Sequence, residues 1–128
     1  MKRAIASDRA PKAVGPYSQA VAFGDLLFCS GQIPLDPATG EIVGADVAAQ
    51  AERVFENIRA VLAVNSMTLG DIVKTTVFLT TMDDFSAMNE VYARNFLQPY
   101  PARSTVAVVA LPRGAKVEIE VTAAKSKA

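Results

Sequence analysis

The chain has 128 residues, of which 51% are hydrophobic and 20% are charged. This composition excludes a disordered protein, and the length predicts a single domain with its own core over residues 1–128. Its 13 basic and 13 acidic residues cancel, which disfavours binding to nucleic acid, because proteins that bind phosphates carry a basic excess. The absence of histidine and the single cysteine, Cys29, exclude histidine-based catalysis, histidine-ligated zinc and an internal disulfide.

The first third of the chain predicts three short strands. "KRAIAS" is typical of an edge strand, and residues 19–23 and 26–30 form a second and a third strand joined by the tight-turn signal Gly24–Asp25. The segment "IPLDPATGEIVG" that follows is rich in turn residues.

The middle of the chain predicts a helix and then a central strand. Apolar residues recur at helical spacing from Asp46 onward, and the helix is expected to end near Asn65–Ser66. The members of this stripe are Val47, Ala51, Val54, Ile58, Val61 and Leu62. After Gly70, the β-branched segment 72–81 predicts a strand.

The last third predicts a second helix and two strands. "MDDFSAMNEVYARNFL" forms the helix, with Asp83 or Asp84 as its cap, and prolines follow its end. Residues 101–121 predict two strands around the turn "LPRGA". The order β-β-β-α-β-α-β-β predicts an α+β fold of two layers, in which two helices cover one face of a mixed or antiparallel sheet.

The face of the sheet away from the helices is expected to pack against another subunit. Val117, Ile119 and Val121 point to one side of the last strand, which fits a core under the helices. The strands "LLFCS" and "IVKTTVFL", however, are apolar on both faces. Such a sheet in so small a chain predicts a homo-oligomer.

Nothing in the sequence indicates a membrane or secreted protein. No apolar run reaches the length of a membrane span, and "MKRAIASDRAPK" becomes charged too early for a signal peptide. A cytoplasmic location is therefore expected.

Arg103 and Glu118 are charges placed in apolar strands, and each has two interpretations. Arg103 either clamps a ligand carboxylate through paired hydrogen bonds or forms a salt bridge between subunits. Glu118 either takes a proton from water or is a solvated strand residue. If the "LPRGA" turn pairs residue 110 with residue 116, the side chains of Arg103 and Glu118 lie on opposite faces of the sheet. Pairing residue 110 with residue 115, or one bulge, places both side chains on the same face. The functional interpretation requires this second register.

Several segments together resemble the RidA family, also called YjgF or Rid. "GPYSQA", "CSGQIPLDPATGE", "DVAAQAERVFENIRAVL" and "GDIVKTTVFL" are similar to the family's successive blocks, and "PARSTVAVVALPRGAKVEIE" is similar to its signature. The resemblance implies a chorismate-mutase-like (YjgF-like) fold assembled as a homotrimer with clefts between subunits. It also implies hydrolytic deamination of 2-enamino and 2-imino acids, such as 2-aminoacrylate and 2-iminobutanoate, to 2-keto acids and ammonia, without metal or cofactor.

The resemblance also implies a set of site residues. By position these are Tyr17, Ser30, Gly31, Asn89, Arg103, Thr105 and Glu118. Glu118 would activate water with help from Ser30 or Tyr17. Arg103 and the Gly31 N–H would bind the substrate carboxylate, with Thr105 and Asn89 beside it.

Two positions depart from the family pattern. Thr105 stands where typical members have Cys, which bears on substrate preference, and Val109 stands where a small or polar residue is common. Alternatives from other classes stay open: an endoribonuclease or translation inhibitor, and a non-catalytic trimer that binds small carboxylates.

Overall fold

The computed structural model describes residues 1–126, in which six strands form one mixed sheet and two helices cover one of its faces. The elements follow in chain order: β1 (Arg3–Ile5), β2 (Ala20–Phe23), β3 (Leu26–Cys29), α1 (Val47–Val64), β4 (Ile72–Leu79), α2 (Phe85–Asn95), β5 (Ala102–Ala107) and β6 (Val117–Ala124). The strand order across the sheet is β1-β2-β3-β6-β4-β5. The predicted α+β architecture with two helices is confirmed.

The helix α1 begins and ends where its sequence signals predict. Asp46 is its N-cap and accepts a hydrogen bond from the Ala49 N–H at 2.9 Å, while Asn65 closes its carboxyl end. Asp84 occupies the N-cap position of α2, as predicted. A turn of 3₁₀ helix precedes α2, and its side-chain cap is Thr81, which accepts from the Asp83 N–H; Asp84 makes no capping hydrogen bond.

The core lies between the two helices and the sheet. The predicted inward set of β6 is buried as expected, with Val117 and Ile119 fully inaccessible and Val121 3% exposed. Thr75 on β4 is also fully buried, and its hydroxyl shares a hydrogen bond of 2.8 Å with the Tyr92 hydroxyl on α2. This pair identifies the face of β4 that looks toward the helices.

The predicted hairpin between the last two strands is wrong. β5 runs parallel to β4 at the edge of the sheet, with Arg103 beside Thr75, whereas β6 lies between β3 and β4 and is antiparallel to both. Parallel neighbours need a crossover connection, and α2 provides it. The "LPRGA" turn therefore carries the chain from the sheet edge to the sheet centre instead of joining two neighbours.

The face of the sheet opposite the helices is partly apolar and exposed. Exposed hydrophobic side chains on this open face are Phe23, Leu26, Phe28 and Val106. Strict alternation along β4 would place Val73 on the buried side with Thr75 and Ile72 on the open side. Instead Ile72 is buried and Val73 is exposed, because the pairing of β4 with β6 shifts between Ile72 and Lys74. Within residues 1–126, no helix has the length and hydropathy needed to cross a bilayer.

Candidate functional site

Glu118 lines a cavity on the open side of the sheet. Its volume is about 290 Å³, and Tyr17, Gly31 and Lys12 also line it. Glu118 pairs with Phe78 of β4 on the face away from the helices, between the buried residues Val117 and Ile119. Because side chains alternate between the two faces of β6, the Glu118 carboxyl group points to the open face while its neighbours Val117 and Ile119 point into the core.

Gly31 brings the backbone close to this carboxyl group. Phe28 pairs with Thr122 of β6, and Gln32 pairs with Ile119. Four residue steps on one side therefore match three on the other, so the segment that includes Gly31 contains one extra residue, as in a β-bulge. A Cβ at Gly31 would lie 2.8 Å from Glu118 Cδ and closer still to Oε2. Only glycine leaves room for the carboxyl group in this position.

The surroundings of Glu118 favour its protonated form. Burial raises the pKa of the Glu118 carboxyl, and the neighbouring charge of Glu120 raises that pKa further. A carboxyl group with a raised pKa can both take and return a proton closer to neutral pH than an ordinary glutamate can.

Arg103 lies in a different place from Glu118. Its Nη1 donates to Asn89 Oδ1 at 2.6 Å, and its guanidinium carbon lies 4.6 Å from the ring centroid of Tyr92 and 5.5 Å from that of Phe85. These contacts hold the guanidinium against α2 on the helix side of the sheet edge. A second cavity of about 460 Å³ adjoins it, lined also by Tyr100.

The requirement that Arg103 and Glu118 share a face of one chain is not met. Arg103 pairs with Thr75, whose side chain contacts α2, whereas Glu118 points to the open face. The two registers considered for a β5–β6 hairpin were both wrong, because these strands are not neighbours. Within one chain, the predicted site is divided into a carboxyl half with Tyr17 and Gly31 and a guanidinium half with Asn89.

The remaining predicted residues have distinct settings. Ser30 Oγ donates to the Ser18 carbonyl at 2.6 Å, so its proton is already committed to tying the third strand to residue 18. Asn89 accepts from Arg103, so it orients the guanidinium. Thr105 shares the helix side of β5 with Arg103, and its Oγ1 is buried without a hydrogen-bond partner within residues 1–126.

Sequence reasoning missed the residues that shape the cavity walls. Gln19 is 4% exposed and holds the 7–11 segment, while the fully buried Asn57 donates to the carbonyls of Ile33 and Leu35 at 3.3 and 3.0 Å. Pro11, Ile33 and Leu35 line the cavity. A polar amide within an apolar helical stripe, as at Asn57, was the available signal, because a buried amide must find partners.

Metal binding gains no support from the arrangement. Over the described part of the chain, no group of three or more His, Cys, Asp or Glu side chains is placed to hold a metal ion. Burial raises the pKa of the Cys29 thiol to about 12, so this thiol stays protonated at neutral pH.

Comparison with known proteins shows one consistent group of relatives. Residues 7–125 match the family described as Endoribonuclease L-PSP. Protein DfrA of Myxococcus xanthus is 58% identical over 124 residues, 95% of each chain. The Escherichia coli K12 protein named "Putative reactive intermediate deaminase TdcF" is 47% identical over 129 residues, covering 98% of this chain and 99% of its own. The crystal structure of YyfA from Yersinia pestis, of the conserved Rid protein family, is 48% identical, with a TM-score of 0.94 and coverage of 98% and 100%.

Proposed function

Because the chain belongs to the Endoribonuclease L-PSP family, which is the RidA family of the sequence resemblance, we propose that it hydrolyses 2-imino acids and their 2-enamino tautomers to 2-keto acids and ammonia. The family relationship supports reactive-intermediate deamination in general. We further propose that its substrates include 2-aminoacrylate and 2-iminobutanoate and that the site lies between subunits.

The observation that carries the proposal is the Glu118 carboxyl group, seated against Gly31 in a cavity and with a raised pKa. Water adds to the imine carbon, and Glu118 takes the proton that this water loses. The imine nitrogen is protonated when water adds, so the product is a neutral carbinolamine. Glu118 then returns its proton to the nitrogen, the C–N bond breaks to release ammonia, and the hydroxyl proton passes to the Glu118 carboxylate as the carbonyl forms. An enamine first gains a proton on carbon and thereby becomes the iminium ion, the protonated imine that water attacks.

Arg103 is suited to bind the substrate carboxylate. A guanidinium has five N–H donors, and the hydrogen bond to Asn89 uses one of them. The hydrogen bond to Asn89 and the contact with the Tyr92 ring restrain the side chain, so its remaining N–H donors can form paired hydrogen bonds to a carboxylate with little loss of rotamer entropy.

A complete site requires a second copy of the chain. Arg103 and Glu118 lie on opposite sides of one sheet, and the open face exposes apolar side chains such as Phe28. Packing of the open faces in a homotrimer would cover these side chains and bring the guanidinium half of one subunit to the carboxyl half of its neighbour. We also propose that the protein is located in the cytoplasm.

The test is keto-acid release from freshly generated 2-iminobutanoate, with the uncatalysed rate subtracted. Arg103→Ala is expected to lower kcat/KM by at least about 100-fold, because it removes a paired, charged contact to the substrate. Arg59→Ala is the matched control, since Arg59 also donates to an asparagine of α2, Asn95, but lies at a different groove. Full activity of Arg103→Ala would refute the carboxylate clamp.

Two alternative functions make different predictions in the same assay. A ribonuclease would cleave RNA through a site dependent on Arg103, but the chain has zero net charge and no histidine for acid–base catalysis. A sensor of small carboxylates would bind 2-oxobutanoate without accelerating imine hydrolysis. Wild-type acceleration that is lost in Glu118→Gln therefore favours the deaminase over both.

A further inference from the structure

Lys12 is a cationic residue that lines the same cavity as Glu118, and the proposed reaction assigns it no role. It lines the cavity together with Tyr17, Gly31 and Glu118, and its side chain is exposed. The proposed steps need one acid–base group and one carboxylate clamp, which Glu118 and Arg103 provide. An additional ammonium group in the same cavity calls for an additional anion.

The backbone that carries Lys12 is held firmly, although its side chain is free. Gln19 Nε2 donates to the Pro11 carbonyl at 2.8 Å and to the Ser7 carbonyl at 3.1 Å, and Gln19 Oε1 accepts from the Ser7 N–H at 2.7 Å. The peptide immediately before Lys12 is therefore anchored to a buried amide. A flexible side chain on a fixed backbone can place an ammonium group over the cavity without being locked onto one ligand.

No carboxylate within residues 1–126 neutralises Lys12. The two ion pairs in this part of the chain join Arg53 to Glu56 and Arg94 to Glu52, on the helices. Glu118 is the only acidic residue among those that line the cavity, and both influences on its pKa, burial and Glu120, raise that pKa. An ammonium group paired with Glu118 would lower the pKa instead.

We propose that Lys12 binds a second anionic group on the substrate side chain, so that the site takes dicarboxylic 2-imino acids in preference to monocarboxylic ones. The inference rests on the proposed function. With the substrate carboxylate on Arg103 and the imine carbon beside Glu118, the rest of the substrate extends into the cavity toward Lys12. A carboxylate on the side chain then meets the ammonium group, whereas a methyl group leaves Lys12 in water.

The experiment compares kcat/KM for 2-iminosuccinate and 2-iminobutanoate, each generated in place by an amino-acid oxidase. Lys12→Gln is expected to reduce the ratio of the two values about tenfold, the size of a charge-assisted hydrogen bond. Lys12→Arg keeps the charge and is expected to retain most of the preference. Lys2→Gln removes an exposed lysine outside the cavity and serves as the control for net charge. High salt is expected to reduce the wild-type ratio, because the contact is partly exposed.

Each outcome separates this inference from the proposed function. An unchanged ratio in Lys12→Gln, or an equal loss for both substrates, overturns the role of Lys12 while the deaminase proposal stands. If wild type accelerates neither reaction, the proposed function fails, and calorimetric binding of 2-oxoglutarate and 2-oxopentanoate decides the inference. Selective weakening of 2-oxoglutarate binding in Lys12→Gln supports it, and equal weakening or no change overturns it.

Discussion

Replacement of Gly31 by alanine tests the position of the Glu118 carboxyl group directly. The new Cβ would lie 2.8 Å from Glu118 Cδ and 3.1 Å from Cγ, whereas real Cβ atoms essentially never approach another atom within 3.0 Å. The carboxyl group must therefore move away from the backbone. Gly31 does not have a positive φ, so alanine introduces no backbone strain of its own.

The expected effect is a large loss of activity with little loss of stability. A displacement of roughly an ångström at a catalytic group costs about 100-fold in rate, which corresponds to about 2.7 kcal/mol of transition-state stabilisation. The free energy of unfolding is expected to fall by less than about 1 kcal/mol, because a half-buried side chain can rotate away from the new methyl group. The measurements are keto-acid release from 2-iminobutanoate and urea unfolding of the same preparation.

Gly70→Ala is the matched control for this substitution. Gly70 also lacks a positive φ, and its nearest neighbour to a new Cβ is Thr68 Oγ1 at an ordinary 3.4 Å. This variant is expected to keep wild-type activity. If Gly31→Ala stays folded and keeps more than about a third of the wild-type kcat/KM, the argument that the seated carboxyl group performs the proton transfer is refuted.

Three further predictions concern charge, packing and assembly. Glu120→Gln removes one of the two causes that raise the pKa of Glu118, so the acid limb of the pH–rate profile is expected to move to lower pH; an unmoved limb would show that another group titrates there. Asn57→Ala leaves two loop carbonyls without their buried donor and is expected to lower the free energy of unfolding, measured by urea denaturation, by about 3 kcal/mol. A decrease of less than about 1 kcal/mol would contradict this account. Phe28→Glu places a charge on the exposed apolar face and is expected to yield monomers by light scattering, whereas an oligomer of wild-type mass would place the interface elsewhere.

Local patterns in the sequence were sufficient for most elements but not for their pairing. Helix α1 and the β2–β3 hairpin depend on periodicity, a capping aspartate and a glycine turn, which are all properties of neighbouring residues. The relation of β5 to β6 depends on residues far apart in the chain. The pattern of an apolar strand, a turn and another apolar strand is the same whether the strands pair with each other or with β4.

The sequence predicted which residues form the site, but it did not predict that these residues lie in two separate places within one chain. Arg103 and Glu118 are conspicuous as charges within apolar strands, and the structure gives both a defined setting. Which side of the sheet each one faces follows from strand order, which local sequence does not encode. Gln19, which lines the cavity, and Asn57, which holds the loop behind it, were missed because they bond mainly to backbone groups, which every residue possesses.

The central position of β6 has a consequence for how the chain folds during synthesis. The unit of β1, β2 and β3 and the unit of β4, α2 and β5 are joined within the sheet only through β6, which is made after both. Until β6 leaves the ribosome, each unit presents an unpaired strand edge that can recruit another nascent chain. The final strand therefore acts as the closing step of the fold, and chaperone contact is expected to be most useful in the interval before it emerges.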